Sequence, residues 1–242
     1  MKTKIVTVAD LVGKMKDSGR YVPISDDEYH RLQREQNIRL EQEEEMTYKP
    51  DYDRIGIHEN EASLTWDAVK PGISDGYKAL QVVKPAFERG WGMVFLWGTW
   101  GQAKTLIGKI MTATALRDGK RTAYANLSGV LDDIRLAFDE KEHKNTELVR
   151  RMEWWNEREF LFLDELDKVN NTEWALSQIF TLLDRRYQRA VREEALTVIA
   201  SNRSDDELDG YLKSRLHDRR IASVVHLDGL DGRLVMPDGY KF

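Results

Sequence analysis

The chain has no cysteine among its 242 residues. That excludes disulfide frameworks and thiolate metal sites. Its five histidines (30, 58, 143, 217 and 226) are too scattered to suggest a zinc ligand pair. It also lacks a long apolar run: no stretch approaches a bilayer span, and Met1-Lys2-Thr3-Lys4 leads into no signal-like apolar core. A cytoplasmic protein with no membrane partner is expected. Net positive charge is missing too, the formal total being −5. Residues 26–46 alone hold eight acids against three arginines, which accounts for all of it. The balanced remainder leaves room for a local DNA track, because counterion release depends on the basic groups that meet phosphates. Arg185, Arg186, Arg189 and Arg192 are the candidates, with a solvated helix face as the alternative. Trp154 and Trp155 follow Arg150 and Arg151, but adjacent tryptophans on a helix cannot both face one strand of DNA, so core packing is expected of them.

What is present is a phosphate-binding pattern. Gly98, Thr99, Trp100, Gly101, Gln102, Ala103, Lys104 and Thr105 follow the apolar run Met93 to Trp97 and open an amphipathic stretch, the layout of a strand, phosphate loop and helix. Such a loop wraps backbone N–H groups around phosphate oxygens, aims a helix N-terminus at them, and adds a lysine for the phosphates and a hydroxyl for Mg²⁺. Lys104 and Thr105 fit those two roles. Ala103 stands where the pattern G-x-x-x-x-G-K-[ST] has its last glycine, and its methyl group is expected where the backbone must approach a phosphate closely.

About sixty residues on, Phe160 to Leu163 reads as a buried strand ending in Asp164 and Glu165. The first acid suits a Mg²⁺ ligand acting through water and the second a group that polarises the attacking water. A third apolar strand, Leu196 to Ala200, runs into Ser201 and Asn202, at the end of a strand where open parallel sheets bind ligands. Asn202 is read as a sensor of the terminal phosphate or, more simply, as a turn residue. Arg215 and Arg219 are four apart and are expected on one helical face, with Arg220 pointing elsewhere. They are either solvated or an arginine finger that completes a neighbouring subunit's site.

With these motifs in this order, the chain resembles an AAA+ ATPase of the DnaC/IstB type, the group of bacterial and phage helicase loaders and transposition helper ATPases. The resemblance runs from Tyr52-Asp53-Arg54-Ile55-Gly56-Ile57 to the C-terminus. It includes Ala123-Tyr124-Ala125-Asn126, Leu183-Asp184-Arg185-Arg186-Tyr187 and the S-R-L-x-D-R string at Ser214 to Arg219. It implies a three-layer αβα core with a five-stranded parallel sheet, ATP and Mg²⁺ as ligands, Lys104, Thr105 and Asp164 around them, and Glu165 and Asn202 in hydrolysis. It also implies a finger at Arg219, with Arg215 a turn earlier. The Tyr-Arg of the second sensor is missing near Asp228 to Arg233, where Arg233 is the candidate substitute. The implied activity is ATP-dependent loading of a replicative helicase onto single-stranded DNA by a ring or spiral of subunits. The alternatives are a transposition helper that binds duplex DNA and a transposase, or an adaptor that binds nucleotide without turnover.

A composition of 41% hydrophobic residues supports one sizeable core plus a small appendage. Residues 1–48 are read as a helical partner-binding module and 49–242 as the ATPase domain. Val8, Leu11, Val12 and Met15 follow helical spacing after Thr7, as a stripe for a partner's groove or for the protein's own core. Residues 26–46 read as a charged helix and 139–145 as a charged loop. Further helices are expected after the phosphate loop, over Val130 to Phe138, over Thr146 to Asn156 and over Leu176 to Tyr187. Strands are expected at Thr122 to Asn126 and Ser223 to Leu227, the last before a Gly-rich hairpin or tail.

Overall fold

A computed structural model of the protein describes residue 31 and residues 50–72, 74–137, 144–169, 172–208 and 210–235. The amphipathic stripe Val8 to Met15 and nearly all of the charged stretch 26–46 lie outside the described residues, as does most of the charged loop 139–145. No helix among the described residues is long and apolar enough to cross a membrane.

The elements follow in the order α1 (Tyr52–Ile55), α2 (Gly76–Arg89), β1 (Gly92–Gly98), α3 (Lys104–Arg117), β2 (Thr122–Asn126), α4 (Leu127–Leu136), α5 (Lys144–Asn156), β3 (Phe160–Asp164), α6 (Glu173–Val191), β4 (Leu196–Ser201), α7 (Gly210–Leu216), β5 (Ala222–Leu227) and α8 (Gly232–Val235). All strand pairs are parallel, in the order β2-β3-β4-β1-β5. The expected five-stranded α/β sheet is therefore present. One register row runs Ala125, Leu163, Ile199, Phe95, Val224 across all five strands.

Side chains alternate across this sheet and build two cores. Val94, Leu96, Phe160, Phe162 and Val198 face α2 and α3, while Met93, Phe95, Leu161, Leu163 and Ile199 face α4 to α7. With both faces covered, the central strands are apolar almost throughout, which is why they read as continuous runs rather than as alternating ones. This is the three-layer αβα arrangement. Helix boundaries have local causes: Thr172 caps α6 by accepting the Ala175 N–H at 3.2 Å, and α2 stops at Gly90, whose φ of 82° is left-handed.

Arg186 corrects one expectation. It is fully buried, donating from Nε to Thr197 Oγ1 at 2.8 Å, from Nη2 to the Leu196 carbonyl at 2.9 Å, and from Nη1 to the carbonyls of Asn156 (2.7 Å) and Arg158. It pins α6 to the starts of β3 and β4 and cannot meet DNA. Arg189 also donates to the Asn156 carbonyl, at 2.5 Å, and Arg192 is bound to Glu194 at 2.8 Å. Among the described residues Arg185 alone of the four is exposed with its guanidinium unpaired, so no basic track forms on this helix. Trp155 is buried and donates to Asp133 Oδ2 at 2.8 Å, with Trp154 packed edge-on at 4.6 Å, as core packing requires.

Candidate functional site

Strand order creates the site. Because β4 lies between β1 and β3, the carboxyl ends of three adjacent strands carry the loop 98–105, Asn202, and the pair Asp164 and Glu165. Gly98 has no room for a side chain, since a Cβ there would stand 1.9 Å from the Leu227 carbonyl oxygen of β5. Gly101 turns the loop at φ 75°. Ala103 takes the left-handed conformation (φ 59°, ψ 16°) immediately before α3. Its methyl group is directed at Gly76, the first residue of α2. The methyl thus lies beside the start of α2, while Ala103 also belongs to the lining of the cavity described below.

Lys104 opens α3 and is buried, its Nζ donating to the carbonyls of Gly98 (2.6 Å) and Thr99 (2.8 Å). Burial lowers the pKa of its ammonium, and the charges of Asp164 and Asp167 act in the opposite direction. Thr105 Oγ1 donates to Asp164 Oδ2 at 2.7 Å, the direct contact between the two motifs. The same oxygen accepts the Tyr124 hydroxyl at 2.7 Å, and Oδ1 accepts the Glu165 N–H at 2.8 Å. Burial first, and then Asp164, raise the Tyr124 pKa, so the phenol stays protonated as a donor. Glu165 has a left-handed backbone (φ 57°) and its carboxylate pairs with Lys168. Asn202 is oriented by Asp167, which accepts its backbone N–H at 2.8 Å and its side-chain amide at 3.0 Å. Although burial acts against it, these bonds hold Asp167 below the usual carboxylate range.

A cavity of about 500 Å³ is lined by loop residues Trp100 to Thr105, by Asp164, Glu165, Asn202 and Arg233, and by the apolar side chains of Leu64, Ala68 and Val69. Its make-up fits a nucleoside polyphosphate, because cations and hydrogen-bond donors share the lining with apolar side chains. The hydroxyl of Thr105 and the carboxylate of Asp164 also fit Mg²⁺, which takes hard oxygen ligands and is commonly held by one or two protein groups with phosphate oxygens and water completing its shell. Arg233 lines the cavity as the second-sensor candidate. Arg215 does not: it donates to Asp184 Oδ1 at 2.9 and 2.6 Å and lies 3.6 Å from the Tyr211 ring centroid. Helix α7 ends at Leu216, so Arg219 sits in the following turn and shares no helical face with Arg215, contrary to expectation. Arg219 is exposed and does not line this cavity.

Tyr124 and Asp167 were not assigned to the site from sequence. Tyr124 meets an acid 40 positions away, with no local mark to reveal it. Asp167 stands three residues after Asp164, a proximity that could have drawn attention to it.

A parallel sheet carrying a phosphate loop on β1 and an acidic pair on β3 defines a P-loop nucleotide-binding fold. Residues 94–224 match the ATPase family associated with various cellular activities (AAA), and the chain belongs to that family. The fold is similar to that of AMPPCP-bound DnaA from Aquifex aeolicus (TM-score 0.54, 23% identity, 68% of this chain and 50% of that one). It is also similar to the DnaC helicase loader (0.52, 16%, 70% and 99%) and to DnaI (0.55, 14%, 73% and 94%). The chain thus spans about half the length of the DnaA structure but nearly all of the DnaC and DnaI chains. No curated protein matches it.

Proposed function

We propose that the protein is an ATPase that loads a replicative DNA helicase onto single-stranded DNA during replication initiation, acting as an ATP-assembled oligomer. The observation that carries the ATPase reading is the convergence of Lys104, Thr105, Asp164, Glu165 and Asn202 on one cavity. Loading is favoured by similarity in fold to the DnaC helicase loader over 99% of that chain's length. In this reading Lys104 binds phosphate oxygens, the apolar side chains of Leu64, Ala68 and Val69 take the base, and Arg233 adds a second cation beside the phosphates. Thr105 and Asp164 hold Mg²⁺, which when bound neutralises charge on the phosphates. Glu165, released from Lys168, polarises the attacking water and Asn202 orients it. Arg219 acts in a neighbouring subunit's site, and residues 1–48 bind the helicase. The Ala103 methyl lies close to Gly76, which supports turnover over a nucleotide-binding adaptor without it.

Binding of a fluorescent ATP analogue and phosphate release, measured on two variants, test the ATPase. Lys104→Ala is expected to lose binding, and Glu165→Gln to bind but not hydrolyse. Parent-like binding by Lys104→Ala would rule the loop out as the phosphate site. Loading is tested by capture of a replicative helicase with the full chain and with residues 1–48 removed, the second being expected to fail.

A further inference from the structure

The most heavily bonded side chain of the phosphate loop has no part in the chemistry above. Gln102 is 1% exposed. Its Oε1 accepts the Asp75 N–H at 3.0 Å, and its Nε2 donates to the carbonyls of Gly229 (2.6 Å) and Leu230 (3.1 Å). Both amide protons and the amide oxygen are therefore used, across three segments distant in sequence. Two further ties run alongside: Gly232 N–H to the Gly101 carbonyl at 3.1 Å, and Asp228 N–H to Asp75 Oδ2 at 3.1 Å.

We propose that Gln102 is a positioning residue, whose amide fastens segment 228–233 to the phosphate loop and so holds Arg233 in the lining of the nucleotide cavity. The segment has little else to hold it. Among the described residues Leu227 is the last fully buried apolar one, while Leu230 and Leu234 are 74% and 86% exposed. Hydrophobic burial among the described residues therefore contributes little to segment 228–233, and the polar ties carry its placement. Arg233 and Lys104 line the same cavity, two like charges that an anion between them would relieve. Any shift of the loop is passed through the same amide to the C-terminal segment. The role of Arg233 rests on the nucleotide reading above; the fastening does not.

The experiment has two arms on the full chain, with Gln102→Ala and, as a size-conserving control that turns a carboxylate onto two carbonyls, Gln102→Glu. Without nucleotide, trypsin cleavage after Arg233, followed by mass spectrometry, is expected to be about tenfold faster in both variants while the melting transition persists. Unchanged cleavage in either folded variant would overturn the fastening. In the second arm, affinity for an ATP analogue is measured for the parent, Gln102→Ala, Arg233→Ala and the double variant. Each single change is expected to weaken binding about tenfold, and the double no more than the worse single, because Gln102 acts through Arg233. Multiplying losses, or full affinity in Gln102→Ala, would overturn the link to Arg233. A parent that binds no nucleotide would overturn both that link and the ATPase reading, with the trypsin arm still deciding the fastening.

Discussion

The methyl carbon of Ala103 lies 2.8 Å from the point where a Cβ on Gly76 would stand, so the extra atom in the phosphate loop is matched by an atom missing from α2. The two residues are complementary in volume. What remains against the alanine is its left-handed backbone, which costs an L-residue about 1–2 kcal/mol.

Ala103→Gly is accordingly expected to raise stability by about 1 kcal/mol and to leave affinity for an ATP analogue unchanged. Gly76→Ala alone should cost about 1–3 kcal/mol through overpacking, and most of that loss should vanish in the Ala103→Gly background. Denaturant unfolding of the four proteins gives the cycle. Equal penalties in both backgrounds would mean that the two positions do not touch.

Tyr124→Phe deletes one of two hydroxyls on Asp164 Oδ2 and keeps the ring stacked on Phe162, 5.5 Å between centroids. Removal of a group that orients a metal ligand commonly weakens metal affinity by about tenfold or more. Calorimetry with and without Mg²⁺ should show an ATP affinity that is parent-like in chelator and about tenfold weaker with the metal. Equal losses under both conditions would indicate a packing defect.

Arg215 and Arg219 should separate cleanly. Arg215→Ala loses its bonds to Asp184 and its contact with Tyr211, so about 1–2 kcal/mol of stability should go. Arg219→Ala should unfold like the parent, within about 0.5 kcal/mol. It should lose hydrolysis that rises with protein concentration by more than about tenfold, with partial recovery on mixing with Lys104→Ala subunits. Turnover unaffected by Arg219→Ala at every concentration would leave that arginine as surface charge.

Acid sensitivity has an identifiable source in Glu147. Hydrogen bonding to Arg150 comes first, followed by opposing burial and then by Arg151, and together they hold its carboxyl at about 2. In the unfolded chain the ordinary value is about 4.3, so there the proton is bound more readily. The contribution to stability is therefore complete above about pH 4.3 and disappears as pH falls toward 2. The melting temperature of the parent should drop more steeply through that window than that of Glu147→Gln. Parallel curves would refute the assignment.

All five strands were visible in sequence because each is a short apolar run beside charged turns, and the structure moves their ends by one or two residues at most. Helix α2 was not seen. Its apolar residues Ala79, Leu80, Val83, Ala86 and Phe87 do follow helical spacing, but Gly76 at its start and Pro85 within it read as breakers. The motif residues of the site were legible because each motif is contiguous. Gln102 was not legible as a fastener, since its partners stand 27, 127 and 128 positions away. Arg186 carried a signal that charge obscured. It falls on the stripe of Ile179, Leu183 and Ala190, all buried, and helical spacing alone would have turned it inward.

The insertion of β4 between β1 and β3 bears on how the protein comes to exist. The loop residue Thr105 and the acid Asp164 are 59 positions apart, but the strand that sets their separation begins only at Leu196. During synthesis the phosphate loop and the acidic pair therefore leave the ribosome well before the element that aligns them, and a chain halted short of β4 has both motifs and no cleft. Nucleotide binding becomes possible only late, when the last central strand has closed the gap. Pairings of such long sequence separation are also the slow ones to form, so the cleft depends on one of the slower steps available to this chain.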